Sequence, residues 1–299
     1  MIASGEVHLT HPDRVLYSER GLTKGDLAVY YARVAQYMLP HLVQRPLMLK
    51  RCPEGADHNC FYQKHPSPGL PRPVHHVLVE EKHGPKRQLM IEDVQGLLAL
   101  IQIGTLEIHS WGCRAQHAEC PDQLVFDIDP DVDLDWALVL EAAQRIHVGL
   151  GVLGLTGFVK TTGGKGLHVV VPILPVTPWE DAKRFTKSVV DTLVRAEPDK
   201  YLATASKRRR AGKVFLDDLR NVRGATSIVP FSTRARPGAP VSTPLAWEEL
   251  TPALRPESFT LESVPARLEA LGEDPWQDFE AARAPLPLKL GAEKLQRKG

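Results

Sequence analysis

The chain has no run of eighteen apolar residues, and its N-terminus, Met1-Ile2-Ala3-Ser4-Gly5-Glu6, lacks both the charged start and the hydrophobic middle of a signal peptide. A cytosolic protein with no membrane contact is therefore expected. Cysteine is scarce. The four present in 299 residues are too few and too irregularly placed for a disulfide framework, which agrees with free thiols in a reducing compartment. An excess of one charge is also lacking. The formal net charge is +1, so a polyanionic partner would have to be met by local basic surfaces. No internal repeat is present. The 43% hydrophobic and 24% charged content suits a globular chain with a sizeable core.

The most informative segment is Gln123-Leu124-Val125-Phe126-Asp127-Ile128-Asp129-Pro130. Side chains in an extended strand repeat every second residue, so Asp127 and Asp129 project to one face. Two carboxylates that close repel each other and call for a divalent cation or a shared proton. The acidic run continues through Asp131, Asp133 and Asp135 into an apolar-periodic stretch, where Asp131 or Asp133 is expected to cap a helix. An EF-hand is excluded by spacing. Its sixth and twelfth positions must be Gly and Glu, but counting from Asp127 gives Val132 and Leu138, and from Asp131 gives Trp136 and Ala142.

Thr23-Lys24-Gly25-Asp26 opens a helical pattern that Pro40 closes. Strand-like runs follow at 46–51, 60–64, 74–80 and 88–91, then a helix near 94–101, a strand at 105–111, the aspartate strand, and a helix from about 135 to 147. Strands around 158–162 and 167–171 flank Gly163-Gly164-Lys165-Gly166; a helix spans 179–195, and Val214-Phe215-Leu216-Asp217 is a further strand ending in acid. Without strict βαβ alternation, the fold class is α+β with a largely antiparallel central sheet flanked by helices. Residues 7–276 are expected to form a single domain and 277–299 a C-terminal tail with frayed final residues.

The glycine hairpin is not a P-loop, because Val159 and Gly166 stand where Gly and Ser/Thr are required. It is either an anion-binding turn, with Thr162, Lys165 and His168 as donors, or an ordinary hairpin. His168 is correspondingly a functional or a core histidine. Asp217 makes a third carboxylate; Asp218 competes for that role. Basic clusters at 50–51, 82–87 and 207–210 are solvated faces or phosphate contacts. His109, Cys113, His117 and Cys120, with Cys52 and Cys60, are weighed as zinc ligands, but no Cys-x2-Cys knuckle is present.

The ordered array of segments 9–17, 50–53, 61–64, 107–111, 126–130, 163–168 and 215–217 resembles the polymerase domain of bacterial DNA ligase D, a member of the archaeo-eukaryotic primase superfamily that acts in non-homologous end joining. The resemblance implies a primase-polymerase fold and template-directed nucleotidyl transfer at a DNA break or gap. It implies that Asp127, Asp129 and Asp217 carry two Mn²⁺ or Mg²⁺ ions. Lys50, His109, Thr162, Lys165, His168 and Arg234 would bind an NTP or dNTP, with ribonucleotides preferred. DNA contacts would come from Arg14 and Lys24 at a downstream 5′-phosphate, from Phe61 and Tyr62 on the template, and from Arg51 and Arg220.

The expected partners are 5′-phosphorylated DNA, the Ku end-binding protein and a DNA ligase, in a bacterial or archaeal cytosol and associated with the nucleoid. Two departures stand out. The family commonly has Ser where Thr162 stands, and the 113–120 segment is not part of its pattern. A replicative-type primase and a non-catalytic DNA-end bridging module are the alternative functions. Core packing is the alternative role for Phe61 and Tyr62.

Overall fold

The computed structural model describes residues 7–81, 83–131, 134–204 and 210–288. Its helices are α1 (Lys24–Met38), α2 (Val94–Gln102), α3 (Trp136–Val152), α4 (Trp179–Ala196) and α5 (Ser263–Leu271). The strands are β1 (Val15–Tyr17), β2 (Leu22–Thr23), β3 (Leu47–Arg51), β4 (Phe61–Gln63), β5 (His75–Glu81), β6 (Gly84–Met90), β7 (Thr105–Trp111), β8 (Gln123–Pro130), β9 (Phe158–Thr161), β10 (Leu167–Pro172), β11 (Tyr201–Leu202), β12 (Val214–Asp217), β13 (Thr226–Ile228) and β14 (Pro244–Leu245). The chain divides into two compact units, each with its own sheet. Unit 1 comprises residues 1–116, 226–243 and 257–274, and unit 2 comprises 117–225, 244–256 and 275–299.

In unit 1 a six-stranded antiparallel sheet has the order β13-β7-β3-β6-β5, with β4 paired to β3. Helix α1 begins with a capping box: the Thr23 hydroxyl accepts from the Asp26 N–H at 3.1 Å, and the Asp26 carboxylate accepts from the Thr23 N–H at 2.8 Å. Leu27, Tyr30, Tyr31, Val34 and Met38 recur at helical spacing and are buried. In α2, capped by Asp93, Leu97 to Ile101 are all buried.

The cysteines of unit 1 correct an expectation. Cys52 and Cys60 are joined by a disulfide that closes the β3–β4 connection across a separation of eight residues. The bond is possible because antiparallel pairing of Arg51 with Phe61 brings the flanking Cα atoms to 4.4 Å. Cys113 is buried and not disulfide-bonded.

In unit 2 the order is β11-β12-β8-β10-β9-β14, antiparallel except for β11 beside β12. Helices α3 and α4 pack along β8. The N-cap of α3 is neither of the two expected acids. Asp135 accepts from the Ala137 N–H at 2.9 Å, while Asp131 accepts from the Gly212 N–H at 3.1 Å; Asp133 lies outside the described residues.

Val125, Phe158, Val170, Trp276 and Phe279 form an apolar cluster, with the Trp276 and Phe279 rings stacked at 5.2 Å. Residues just beyond 276 thus belong to a core. The frayed end expected for the last ten residues falls outside the described part. Val125 shares its strand face with Asp127 and Asp129, so the apolar cover gives way to acid along one face of β8.

Candidate active site

Strand β8 lies between β12 and β10, and its register builds a row of polar side chains in unit 2. His168 and Asp217 are the direct cross-strand partners of Asp127. Directly opposed residues on antiparallel strands share a face, and Asp129 follows two residues along it. The sheet therefore delivers three carboxylates and an imidazole to one region.

Arg220, in the turn after β12, places Nε 3.0 Å from Asp127 Oδ2 and 3.6 Å from Asp217 Oδ2. Arg210 reaches Asp129 Oδ2 at 3.1 Å and lies over the Phe215 ring at 3.9 Å. Burial works against ionisation of Asp127, but His168 and Arg220 outweigh it and hold the carboxyl below the usual range. Burial, reinforced by Lys160, pushes His168 down to about 4 against the pull of Asp127. The pair at pH 7 is an ionised Asp127 with a neutral imidazole whose Nε2 lies 3.3 Å from Oδ1. The Asp129 carboxyl is raised by burial and by the charge of Asp127, and Asp217 by burial and by the charges of Asp127 and Asp218.

The glycine turn is fitted to this strand end. A Cβ on Gly166 would lie 2.2 Å from the Ile128 carbonyl oxygen, so only glycine permits the approach. Thr162 closes the turn, its N–H and hydroxyl each donating to the Gly166 carbonyl at 3.1 Å. Lys165 at its tip is exposed.

Do these residues fit a divalent cation? Oxygen-only donors suit a hard ion, as do the Asp129 and Asp217 carboxyls, raised by burial and by neighbouring acids. In the present arrangement Arg210 and Arg220 supply the countercharge. Among the described residues, no group of three or more His, Cys, Asp or Glu is arranged to ligate a metal. That covers the zinc set as well, from which the disulfide removes Cys52 and Cys60.

Unit 1 carries two further clusters. Buried Glu107, on β7, receives hydrogen bonds from Lys50 Nζ at 3.4 Å and the Ala235 N–H at 3.0 Å. It also bonds His109 Nε2 at 3.0 Å and lies 3.1 Å from Arg234 Nε. Burial alone would push this carboxyl up; instead His109, Arg234 and Lys50 bring it down to about 2.

Arg14, Lys24, Arg51 and Gln102 line a cavity of ≈ 170 Å³. Lys24 donates to the Thr10 carbonyl and to Gln102 Oε1 at 2.8 and 2.7 Å, and Arg14 donates to the Pro53 carbonyl at 3.0 Å. Arg51 holds Gln63 at 2.7 Å and lies over the Phe61 ring at 5.3 Å. Phe61 and Tyr62 are 47% and 60% exposed, which rules out core packing as their role.

A family model described as LigD, primase-polymerase domain, matches residues 23–276. The chain belongs to the LigD primase-polymerase family. It is 37% identical over 288 residues to the multifunctional non-homologous end joining protein LigD of Pseudomonas aeruginosa, covering 94% of this chain and 34% of that protein. Against the protein of the same name from Mycolicibacterium smegmatis the identity is 33%, over 89% of this chain and 35% of the relative. The chain thus spans about a third of the length of these relatives. Among solved structures it is similar to the polymerase domain from Mycobacterium tuberculosis ligase D in complex with DNA. That match has a TM-score of 0.87 and 33% identity, and covers 93% of this chain and 99% of that one.

Within this LigD primase-polymerase chain, Asp127, Asp129, Asp217, His168 and Arg220 meet in unit 2, with Thr162 and Lys165 on the adjoining turn. Lys50, His109 and Arg234 meet in unit 1 around Glu107. Asp218 is buried, with Lys187, Asp191 and Lys183 among its charged neighbours. Of the basic run 207–210 only Arg210 is described, and Lys82 also lies outside the described residues.

Sequence reasoning did not assign roles to Glu107 and Asn221, and it offered Arg210 as a solvated or phosphate-contacting residue where the structure pairs it with Asp129. Buried Asn221 accepts from the Val125 N–H and donates to the Val125 carbonyl, both at 2.8 Å, pinning β8 two residues before Asp127. Alternation in Leu106-Glu107-Ile108-His109 was a usable signal for Glu107, since it puts the acid on the face of His109.

Proposed function

We propose that the chain catalyses template-directed nucleotidyl transfer onto a DNA 3′ end, filling gaps and extending ends during double-strand break repair by non-homologous end joining. The observation that carries this reading is the register that sets Asp217 and His168 on either side of Asp127, with the Gly166 turn against the same strand end.

Asp127, Asp129 and Asp217 would hold two Mn²⁺ or Mg²⁺ ions. When bound, such ions neutralise phosphate charge and activate a primer 3′-hydroxyl. The chain's own contribution is positioning. Neutral His168 would keep Asp127 oriented through Nε2–H. Thr162 and Lys165 would bind the triphosphate, the turn offering backbone N–H groups and the lysine a point charge, and His168 would join them by turning its Nε2–H from Asp127 to a phosphate oxygen. Lys50, His109 and Arg234 would add positive charge for the nucleotide. Arg220, which engages two of the acids, would have to yield them as the ions bind.

The cavity of Arg14 and Lys24 suits a 5′-phosphate, because three cations, Arg14, Lys24 and Arg51, line a space a phosphate can enter. Arg51 would support Phe61, and exposed Phe61 and Tyr62 would stack on template bases. Ribonucleotides would be preferred. The solved M. tuberculosis neighbour is a complex with DNA, which supports DNA as a partner here. Ku and a DNA ligase would be its partners in a cytoplasmic, nucleoid-associated setting, a reading the same kinship supports. Residues 7–276 would act as one catalytic domain.

The test is extension of a gapped duplex bearing a 5′-phosphate, with Mn²⁺ and NTPs or dNTPs. Wild type is expected to extend it, and Asp127→Ala and Asp217→Ala to lose extension. Undiminished extension by Asp217→Ala would remove that residue from the site. De novo dinucleotide synthesis would favour a primase, and DNA binding with no extension would favour an end-bridging module.

A further inference from the structure

Glu107 is out of place by the ordinary rules of burial. Its side chain is 2% exposed, in a strand whose neighbours Leu106 and Ile108 are fully buried. Removing a carboxylate from water costs several kcal/mol before any interaction is regained. An apolar residue would fill a strand interior without that cost. What the acid provides is a common anchor. Oε1 takes Lys50 from β3 and the Ala235 N–H from the segment after β13; Oε2 takes His109 from β7 and lies beside Arg234.

The arrangement is layered. Beneath the three basic side chains, which are 23% (Lys50), 14% (His109) and 16% (Arg234) exposed, lies the single, nearly inaccessible carboxylate. Lys50 and Arg234 together carry one positive charge more than Glu107 cancels, so the outer layer stays attractive to an anion. Without the carboxylate the cations would repel one another at short range and relax apart. A receptor whose charges are already gathered avoids the cost of gathering them when the ligand arrives.

We infer that Glu107 is the positioning residue of an anion receptor formed by Lys50, His109 and Arg234, and that the anion it serves is the phosphate chain of the incoming nucleoside triphosphate. The choice of a nucleotide rests on the function proposed above. A phosphate of the DNA strand has the same chemistry, so the test carries an arm for each.

The full chain and its Glu107→Gln and Glu107→Asp variants would be titrated by calorimetry with a non-hydrolysable ribonucleoside triphosphate, and separately with a 5′-phosphorylated duplex. KM and kcat for gap filling would be measured alongside. Glu107→Gln keeps the shape and removes the charge. Its nucleotide Kd and KM are expected to rise about tenfold, with kcat and duplex affinity within about threefold of wild type. Glu107→Asp retains the charge on a shorter stem and should recover part of the loss.

Unchanged nucleotide affinity in Glu107→Gln overturns the inference, and so does a parallel loss of duplex affinity, which would mark a general structural support. Should Glu107→Gln not fold, Glu107→Asp decides, and a wild-type KM there overturns the inference. If wild type binds no triphosphate, the proposed function fails and the inference falls with it. If wild type binds and the variants bind equally well, only the inference fails.

Discussion

Asp127 and Asp217 face each other across adjacent antiparallel strands, and one guanidinium, that of Arg220, lies 3.0 Å from the first and 3.6 Å from the second. The arginine supplies the countercharge this pair needs when no metal is present. Arg220→Gln should therefore lower the Tm of the metal-free protein at pH 7. Divalent cation should then raise Tm by more in the variant than in wild type, because relief of the Asp127–Asp217 repulsion then depends on the ion. Thermal melts in chelator and in Mn²⁺ check this. Equal Mn²⁺ shifts in the two proteins would contradict it.

Gly166 touches the strand that carries two of the acids. Gly166→Ala puts a Cβ 2.2 Å from the Ile128 carbonyl oxygen, so β8 or the turn must move. A loss of about 1–3 kcal/mol in unfolding free energy is expected from such overpacking. Extension should fall by more than stability explains, since the displaced strand end bears Asp129. Denaturant unfolding beside the gap-filling rate measures both.

Asn221 stands in for a missing strand partner at Val125. Asn221→Leu would leave the buried N–H and carbonyl of Val125 unpaired, at about 1–3 kcal/mol for each group. Hydrogen exchange at the Val125 amide should accelerate in the variant. An unchanged exchange rate would show that the pairing is dispensable.

Much of this site was legible in the chain because period-two alternation fixes which residues share a face, and Asp127, Asp129 and Asp217 all end apolar runs. Glu107 was not singled out: alternation puts it on the face of His109, but nothing local shows that Lys50 and Arg234, from distant segments, will meet it. The α3 cap was misplaced because five alternating acids offer equivalent local chemistry, and only the path of the chain selects Asp135. The Cys52–Cys60 bond depends on strand pairing across a loop, and counting cysteines cannot supply that. The exposure of Phe61 and Tyr62 likewise follows from a short strand at the sheet margin and not from their own hydrophobicity.

Acid should destabilise the protein partly through Glu107. Its folded pKa is depressed from 4.5 to about 2, so its contribution, about 3 kcal/mol, is fully present above pH 4.5 and is lost as pH falls towards 2. Asp127, also depressed, acts in the same direction. Asp129 and Asp217, whose carboxyls are raised, act oppositely: they lose stability as pH rises through their folded pKa values. Unfolding free energies from pH 6 to pH 2 should fall less steeply in Glu107→Gln than in wild type.

The disulfide should stabilise by limiting the unfolded chain. For a loop closed across eight residues the gain is about 2 kcal/mol. Cys60→Ser should lose about that much, and a thiol reductant should destabilise wild type while leaving the variant unchanged.

The central claim is that Asp127, Asp129 and Asp217 act together as a cation site, and direct Mn²⁺ binding tests it most closely. Free Mn²⁺ followed by electron paramagnetic resonance, in the presence of a non-hydrolysable nucleotide, should show tight uptake by wild type. Asp127→Asn and Asp217→Asn should each lose most of that uptake while remaining folded. Uptake by Asp217→Asn equal to wild type would contradict the claim.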